Sequence, residues 1–150
     1  MDKDSKKTEN DLKKLTAEVF PIGSDLDLVS IRDFGRKMAA QIGFEGSDQT
    51  LIATALSEIC RNVLEYAGTG EVKIEPDKDK NSEGILITVT DTGPGIEDVR
   101  KALQEGYSTG RGMGIGLPGT KRIMDKFEIH SNIGKGTTVI MAKWLDKYEF

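Results

Sequence analysis

Residues 85–95 read ILITVTDTGPG, and the fold turns on them. The apolar, β-branched run Ile85 to Val89 predicts a strand that reaches Asp91, and Thr92-Gly93-Pro94-Gly95 predicts the tight turn that ends it. A carboxylate at a strand end can accept a hydrogen bond from an exocyclic amine, and glycines just beyond it let backbone approach a flat ring. Taken alone, the same residues also make an ordinary turn.

Upstream, Glu71 to Pro76 reads as a partner strand, with the polar stretch Asp77 to Gly84 as the hairpin loop. Before it lie two helical patterns. Leu28, Ile31, Phe34, Met38 and Ile42 recur at helical spacing after a cap at Ser24 or Asp25, and Gly43 stops that helix. Ile52, Leu56, Ile59, Val63 and Tyr66 mark a second helix, capped by Ser47 or Asp48 and ended by Gly68. Leu15 to Ile22 reads as a first strand, and residues 1–13 as a charged, flexible arm. Downstream, Glu97 to Gln104 predicts a short helix and Leu117 to Phe127 another. Phe127 to Ser131 and Thr137 to Trp144 predict two last strands joined by the Gly134-Lys135-Gly136 turn. The helices cluster instead of alternating with strands. The expected class is α+β: a single-domain two-layer sandwich with a mixed, mostly antiparallel sheet covered on one face by helices.

The 150 residues suffice for one domain, carry a formal charge of -4 and are 37% hydrophobic. The acidic balance argues against nucleic-acid binding. No apolar run spans a bilayer and the N-terminus lacks a signal-peptide core, so neither membrane insertion nor export is expected. The single cysteine, Cys60, closes no internal disulfide, and the cytoplasm is the expected compartment.

Glycine is unevenly spread. Eight of the 17 glycines fall between Gly93 and Gly119, so the chemistry is sought there. Gly114-Ile115-Gly116-Leu117-Pro118-Gly119 matches a dinucleotide-binding pattern, but no strand directly precedes it and no acidic residue stands 20 positions on. Asp79, Asn81, Glu83 and Gly84 imitate the start of a calcium loop whose last ligand would be Thr90. His130 is the sole histidine, which leaves zinc clusters and histidine-dependent nucleophiles without material.

Two further signals accompany Asp91. Glu58 and Asn62 stand four apart on the second helix and point the same way. A carboxylate there can take a hydroxyl proton, and an amide oxygen suits Mg²⁺; a solvated helix edge has the same pattern. Gly110-Arg111-Gly112-Met113-Gly114-Ile115-Gly116-Leu117 opens a helix, where free N–H groups can cradle an anion, although alternate glycines also make linkers. Gly136-Thr137 adds a hydroxyl at the start of the last strand.

The order E-x-x-x-N, D-x-G-x-G, G-x-G-x-G and G-T resembles the Bergerat ATP-binding fold of the GHKL superfamily, shared by gyrase, Hsp90, histidine kinases and MutL. The resemblance covers residues 14–145 of a domain running over 14–150 and implies ATP and Mg²⁺ as cofactors. It implies that Asn62 is the Mg²⁺ ligand and Glu58 the general base. Asp91 would read adenine, with Gly93, Gly95, Ile96 and Thr137 around the base. Gly110 to Leu117 would form the phosphate loop, Arg111 would reach the γ-phosphate, and residues 96–112 would form an ATP lid. With no transducer domain after Phe150 and no phosphoacceptor hairpin before the first strand, the expected branch is that of the anti-sigma-factor and switch serine/threonine kinases. That branch implies phosphorylation of STAS-domain partners of a stressosome-type pathway and activation of a PP2C-type phosphatase. Its alternative is a kinase that sequesters a sigma factor and phosphorylates an anti-anti-sigma protein. Arg32 resembles a basic residue on the partner and phosphate side. The pattern leaves the oligomeric state open.

Overall fold

The computed structural model describes residues 15–79, 81–96, 103 and 116–145. The expected arm at 1–13, the helix at 97–104 apart from Leu103, and Gly110, Arg111, Gly112, Met113, Gly114 and Ile115 lie outside the described residues, as does nearly all of the expected lid.

The elements run β1 (Glu18–Ile22), α1 (Asp25–Ile42), α2 (Gly46–Tyr66), β2 (Gly70–Asp79), β3 (Ser82–Asp91), α3 (Gly116–Ile123), β4 (Lys126–Asn132) and β5 (Gly136–Trp144). The strands form one sheet in the order β1-β2-β3-β5-β4, and every pairing is antiparallel. The α+β expectation holds, with no parallel pair among the described strands. No helix among the described residues is long and apolar enough to cross a membrane.

Local chemistry explains the boundaries. Ser24 is the cap of α1: its Oγ accepts from Asp27 N at 3.3 Å, while Asp27 Oδ2 accepts from Gly23 N at 2.8 Å. The first bond satisfies an orphan donor of the helix, and the second fixes the residue before the cap. Gly43 ends the helix by donating to Ala39 O. Neither Ser47 nor Asp48 caps α2. That helix starts at Gly46 after Glu45, with no side-chain cap bond, and both expected caps lie in its first turn. Gly68 donates to Val63 O at its far end, as the sequence suggested.

The hairpin differs more. Asp77 to Gly84 is not an open loop; pairing continues through Lys78↔Glu83 to Asp79↔Ser82. The indole of Trp144 on β5 donates to Asp77 Oδ2 at 2.9 Å and ties the polar end of β2 down. This also removes the calcium-loop imitation, since Asp79 and Glu83 are strand residues. The helix expected over 117–127 stops at Ile123, because Asp125 N donates to Ala142 O and the chain has already turned into β4. The first strand begins at Glu18 instead of Leu15.

The core lies between the helices and one sheet face. Val72, Ile74, Ile85, Ile87, Val89, Val139 and Met141 from the sheet meet Ile31, Met38, Ile52, Leu56, Ile59 and Val63 from α1 and α2. Each such side chain removed from water contributes about 1.5–3 kcal/mol. The two helices touch closely, for a Cβ on Gly35 would run into Leu56 Cδ1. Phe20 and Phe34 stack β1 on α1 with ring centroids 5.0 Å apart.

Candidate functional site

Strand periodicity carries the helix-facing side of the sheet from apolar to polar at one end. Val89, Val139 and Ile129 share that side, and two residues further along it stand Asp91, Thr137 and Ser131 on β3, β5 and β4. Asp91 Oδ1 accepts from Gly93 N at 2.9 Å and from Thr137 N at 3.3 Å. Asp91 Oδ2 has no hydrogen bond among the described residues. Ser131 Oγ lies 2.8 Å from Thr137 Oγ1 and accepts from Ile96 N at 2.7 Å. Gly134 N donates to Pro94 O at 2.9 Å. The turn after β3 and the β4–β5 turn are therefore fastened to each other.

Two glycines make that fastening possible. Gly95 has φ +80 and Gly136 φ +101, a region that L side chains seldom enter. A Cβ on Gly95 would strike Asn132 O, and one on Gly136 would strike Asp91 O. Gly93 makes a third close approach on the other side. A Cβ there would lie 2.5 Å from Ala67 Cβ and 2.8 Å from Ala67 Cα, at the end of α2. The Asp91 turn is thus held between α2 and the β4–β5 hairpin.

Helix α2 brings the second group. Glu58 and Asn62 are half-buried residues one turn apart. Glu58 Oε1 pairs with Arg61 Nη1 at 3.3 Å, with the Glu58 side chain 13% exposed and Arg61 50%. The Asn62 amide has no hydrogen bond among the described residues. Gly116, with φ +65, and Leu117 open α3, which packs on α2. Thr120, fully buried, donates to Gly116 O at 2.9 Å and closes that first turn. Arg32 is exposed on α1. An open cleft of about 280 Å³ also touches Asp91, lined by Thr69, Gly70, Glu71, Thr90 and Thr92. Glu71 and Thr90 belong to the sheet face away from the helices, so this cleft is not the space between Asp91 and α2.

Sequence reasoning missed Arg61 and Ser131. Arg61 had a signal in its i,i+3 spacing from Glu58. Ser131 had none, because its partner Ile96 is 35 residues away.

Residues 47–147 match the family model for histidine kinase-, DNA gyrase B- and HSP90-like ATPases. The chain belongs to this family. The GHKL relationship extends to individual proteins. The chain is 45% identical over 124 residues to Serine/threonine-protein kinase RsbT of Bacillus subtilis, covering 83% of this chain and 93% of that one. It is 35% identical over 100 residues to the Anti-sigma F factor of Caldanaerobacter subterraneus, covering 64% and 70%. The expectation of a serine/threonine kinase is met by the first of these. Among solved structures, the RsbU and RsbW domains of Rv1364c from Mycobacterium tuberculosis superpose with a TM-score of 0.58 at 19% identity. That match covers 89% of this chain and 34% of the other. The catalytic domain of histidine kinase ThkA gives 0.52, also at 19%, covering 85% and 95%. At such identities the likeness is one of fold.

Proposed function

We propose that this GHKL chain transfers the γ-phosphoryl group of Mg-ATP to a serine or threonine hydroxyl of a STAS-domain partner in a bacterial partner-switching pathway. The observation that carries it is the side-by-side placement of Asp91 and Thr137, with Asp91 Oδ1 engaged and Oδ2 without a hydrogen bond among the described residues, where it would accept from an exocyclic amine. Gly93, Gly95 and Ile96 are assigned to the wall of that pocket, and a Cβ would collide with Ala67 at Gly93 and with Asn132 at Gly95.

The metal fits the donors present. Mg²⁺ usually takes one or two protein oxygens and fills the rest with phosphate and water. Asn62 supplies one such oxygen, and no cluster of three or more His, Cys, Asp or Glu side chains occurs among the described residues. Bound there, Mg²⁺ would neutralise charge on the phosphate oxygens. Glu58 orients the acceptor hydroxyl and takes its proton as the oxygen attacks the γ-phosphorus, the new P–O bond forming while the bond to ADP breaks. Gly110, Arg111, Gly112, Met113, Gly114, Ile115, Gly116 and Leu117 are assigned to the phosphate side, where backbone N–H groups at the start of α3 meet an anion. Arg32, exposed on α1, is assigned to the partner side.

A phosphatase of the PP2C type is the proposed output once the kinase leaves its STAS partner. The similarity to anti-sigma F factors favours a second reading, sequestration of a sigma subunit with phosphorylation of an anti-anti-sigma protein. The test is the intact mass of a candidate STAS-domain protein after incubation with the chain, Mg²⁺ and ATP. One added phosphate, absent with Glu58→Ala and Asn62→Ala, is expected. Bound nucleotide without transfer to any STAS protein, together with capture of a sigma subunit, would replace the first reading with the second.

A further inference from the structure

Ser131 has three polar neighbours and belongs to none of the motifs. It stands on the edge strand β4, opposite Thr137. Its Oγ accepts from Ile96 N at 2.7 Å and lies 2.8 Å from Thr137 Oγ1 and 3.2 Å from Gly136 O, either of which can take its proton. A serine hydroxyl has one proton and two lone pairs. Ile96 occupies one lone pair, so the remaining lone pair and the proton decide what Thr137 can do. If Ser131 donates to Gly136 O, Thr137 donates to Ser131 and turns lone pairs toward the space beside Asp91. If Ser131 donates to Thr137, the Thr137 proton is released toward that space. No other side-chain hydroxyl among the described residues bonds to Thr137.

We infer that Ser131 is a positioning residue for the nucleotide base. It sets the hydrogen-bonding sense of Thr137. The inference rests on the reading of Asp91 and Thr137 as the base pocket. A ring nitrogen lying next to the amine accepted by Asp91 needs a donor, and the Ser131–Thr137 pair provides one by rotating two hydroxyls without moving backbone. The role is distinct from strand stability, because Ser131 is only half-buried and supplies no apolar surface to the core.

The test is a double-mutant cycle on the full chain, with the dissociation constant for Mg-ATP measured by calorimetry for the parent, Ser131→Ala, Thr137→Val and the double variant. Loss of one hydrogen bond corresponds to about a tenfold weakening. Each single variant is expected to bind about tenfold more weakly, and the double variant no more than about twofold worse than either, since both act through one network. Ser131→Thr, which keeps the hydroxyl, is expected to stay within about threefold of the parent. Unchanged affinity in Ser131→Ala, or losses that multiply in the double variant, would overturn the inference while leaving the pocket intact. A parent chain that binds no ATP would overturn the pocket and the inference together. Should Ser131→Ala not fold, Ser131→Cys carries the same cycle, for a thiol keeps the volume but is a weak acceptor.

Discussion

Replacing Gly93 with alanine isolates the seam between the Asp91 turn and α2. The added Cβ would sit 2.5 Å from Ala67 Cβ and 2.8 Å from Ala67 Cα. Carbon atoms prefer separations of about 3.5–4.0 Å, so the turn and the helix end must part by about 1 Å. Neither neighbour is the far end of a flexible side chain. The helix end is held by Ala67 N and Gly68 N donating to Val63 O, both at 2.8 Å. The turn, held by Gly93 N→Asp91 Oδ1 at 2.9 Å and Ile96 N→Ser131 Oγ at 2.7 Å, is the part that yields. Moving it breaks the first of these bonds and turns the Asp91 carboxylate. Overpacking of this kind costs about 1–3 kcal/mol, less the few tenths that alanine recovers by restricting the unfolded chain. We expect Gly93→Ala to fold, to melt several degrees lower, and to bind Mg-ATP at least about tenfold more weakly. Adding Ala67→Gly removes the 2.5 Å contact but leaves the 2.8 Å one, so it should restore affinity only in part. Calorimetric titration with ATP, alongside thermal melting, decides. Parental affinity in Gly93→Ala would refute the claim that this seam positions Asp91.

Other expectations follow from the same geometry. Arg61→Ala removes the exposed partner of Glu58, a pair worth no more than about 1 kcal/mol, so single-turnover phosphoryl transfer should fall less than about fivefold. A loss as complete as that of Glu58→Ala would mean that Arg61 touches substrate. Leu56→Ala empties a fully buried site against Gly35 and should cost about 2–5 kcal/mol in urea unfolding; a smaller loss would mean that α1 and α2 close the gap. Burial pushes the Cys60 thiol from 9.0 up to about 12. With the folded value raised, its contribution is complete below the unfolded value and is lost as pH climbs through the range between them. Cys60 should therefore resist iodoacetamide at pH 8.5 until denaturant is added, and stability should decline above about pH 9. Rapid native alkylation would contradict that burial.

The α+β class was legible because it is written locally, and so was the meeting of Asp91 with Gly93 and Thr137. Ser24, Gly43 and Gly68 are helix punctuation that depends on near neighbours. Asp91 and its glycines declare themselves by type and spacing. What escaped depends on distant partners. Polar residues at 77–84 suggest a loop until Trp144, 67 positions from Asp77, is seen to hold the strand end. The early end of α3 is set by Asp125 reaching Ala142, and the role of Ser131 by Ile96. Glu45 begins α2 without any side-chain cap, so Ser47 and Asp48 drew attention to the wrong residues.

The strand order has a consequence for synthesis on the ribosome. β5 is inserted between β3 and β4, although β4 precedes it in the chain. Asp91 is translated 45 residues before Gly136, yet its flank is closed only by β5, which brings Thr137 N to Asp91 Oδ1. Pairings this remote in sequence form late. A nascent chain already carrying both helices and the first hairpin still lacks one wall of the pocket. If nucleotide binds beside Asp91 as proposed, it would favour those molecules in which β5 has docked.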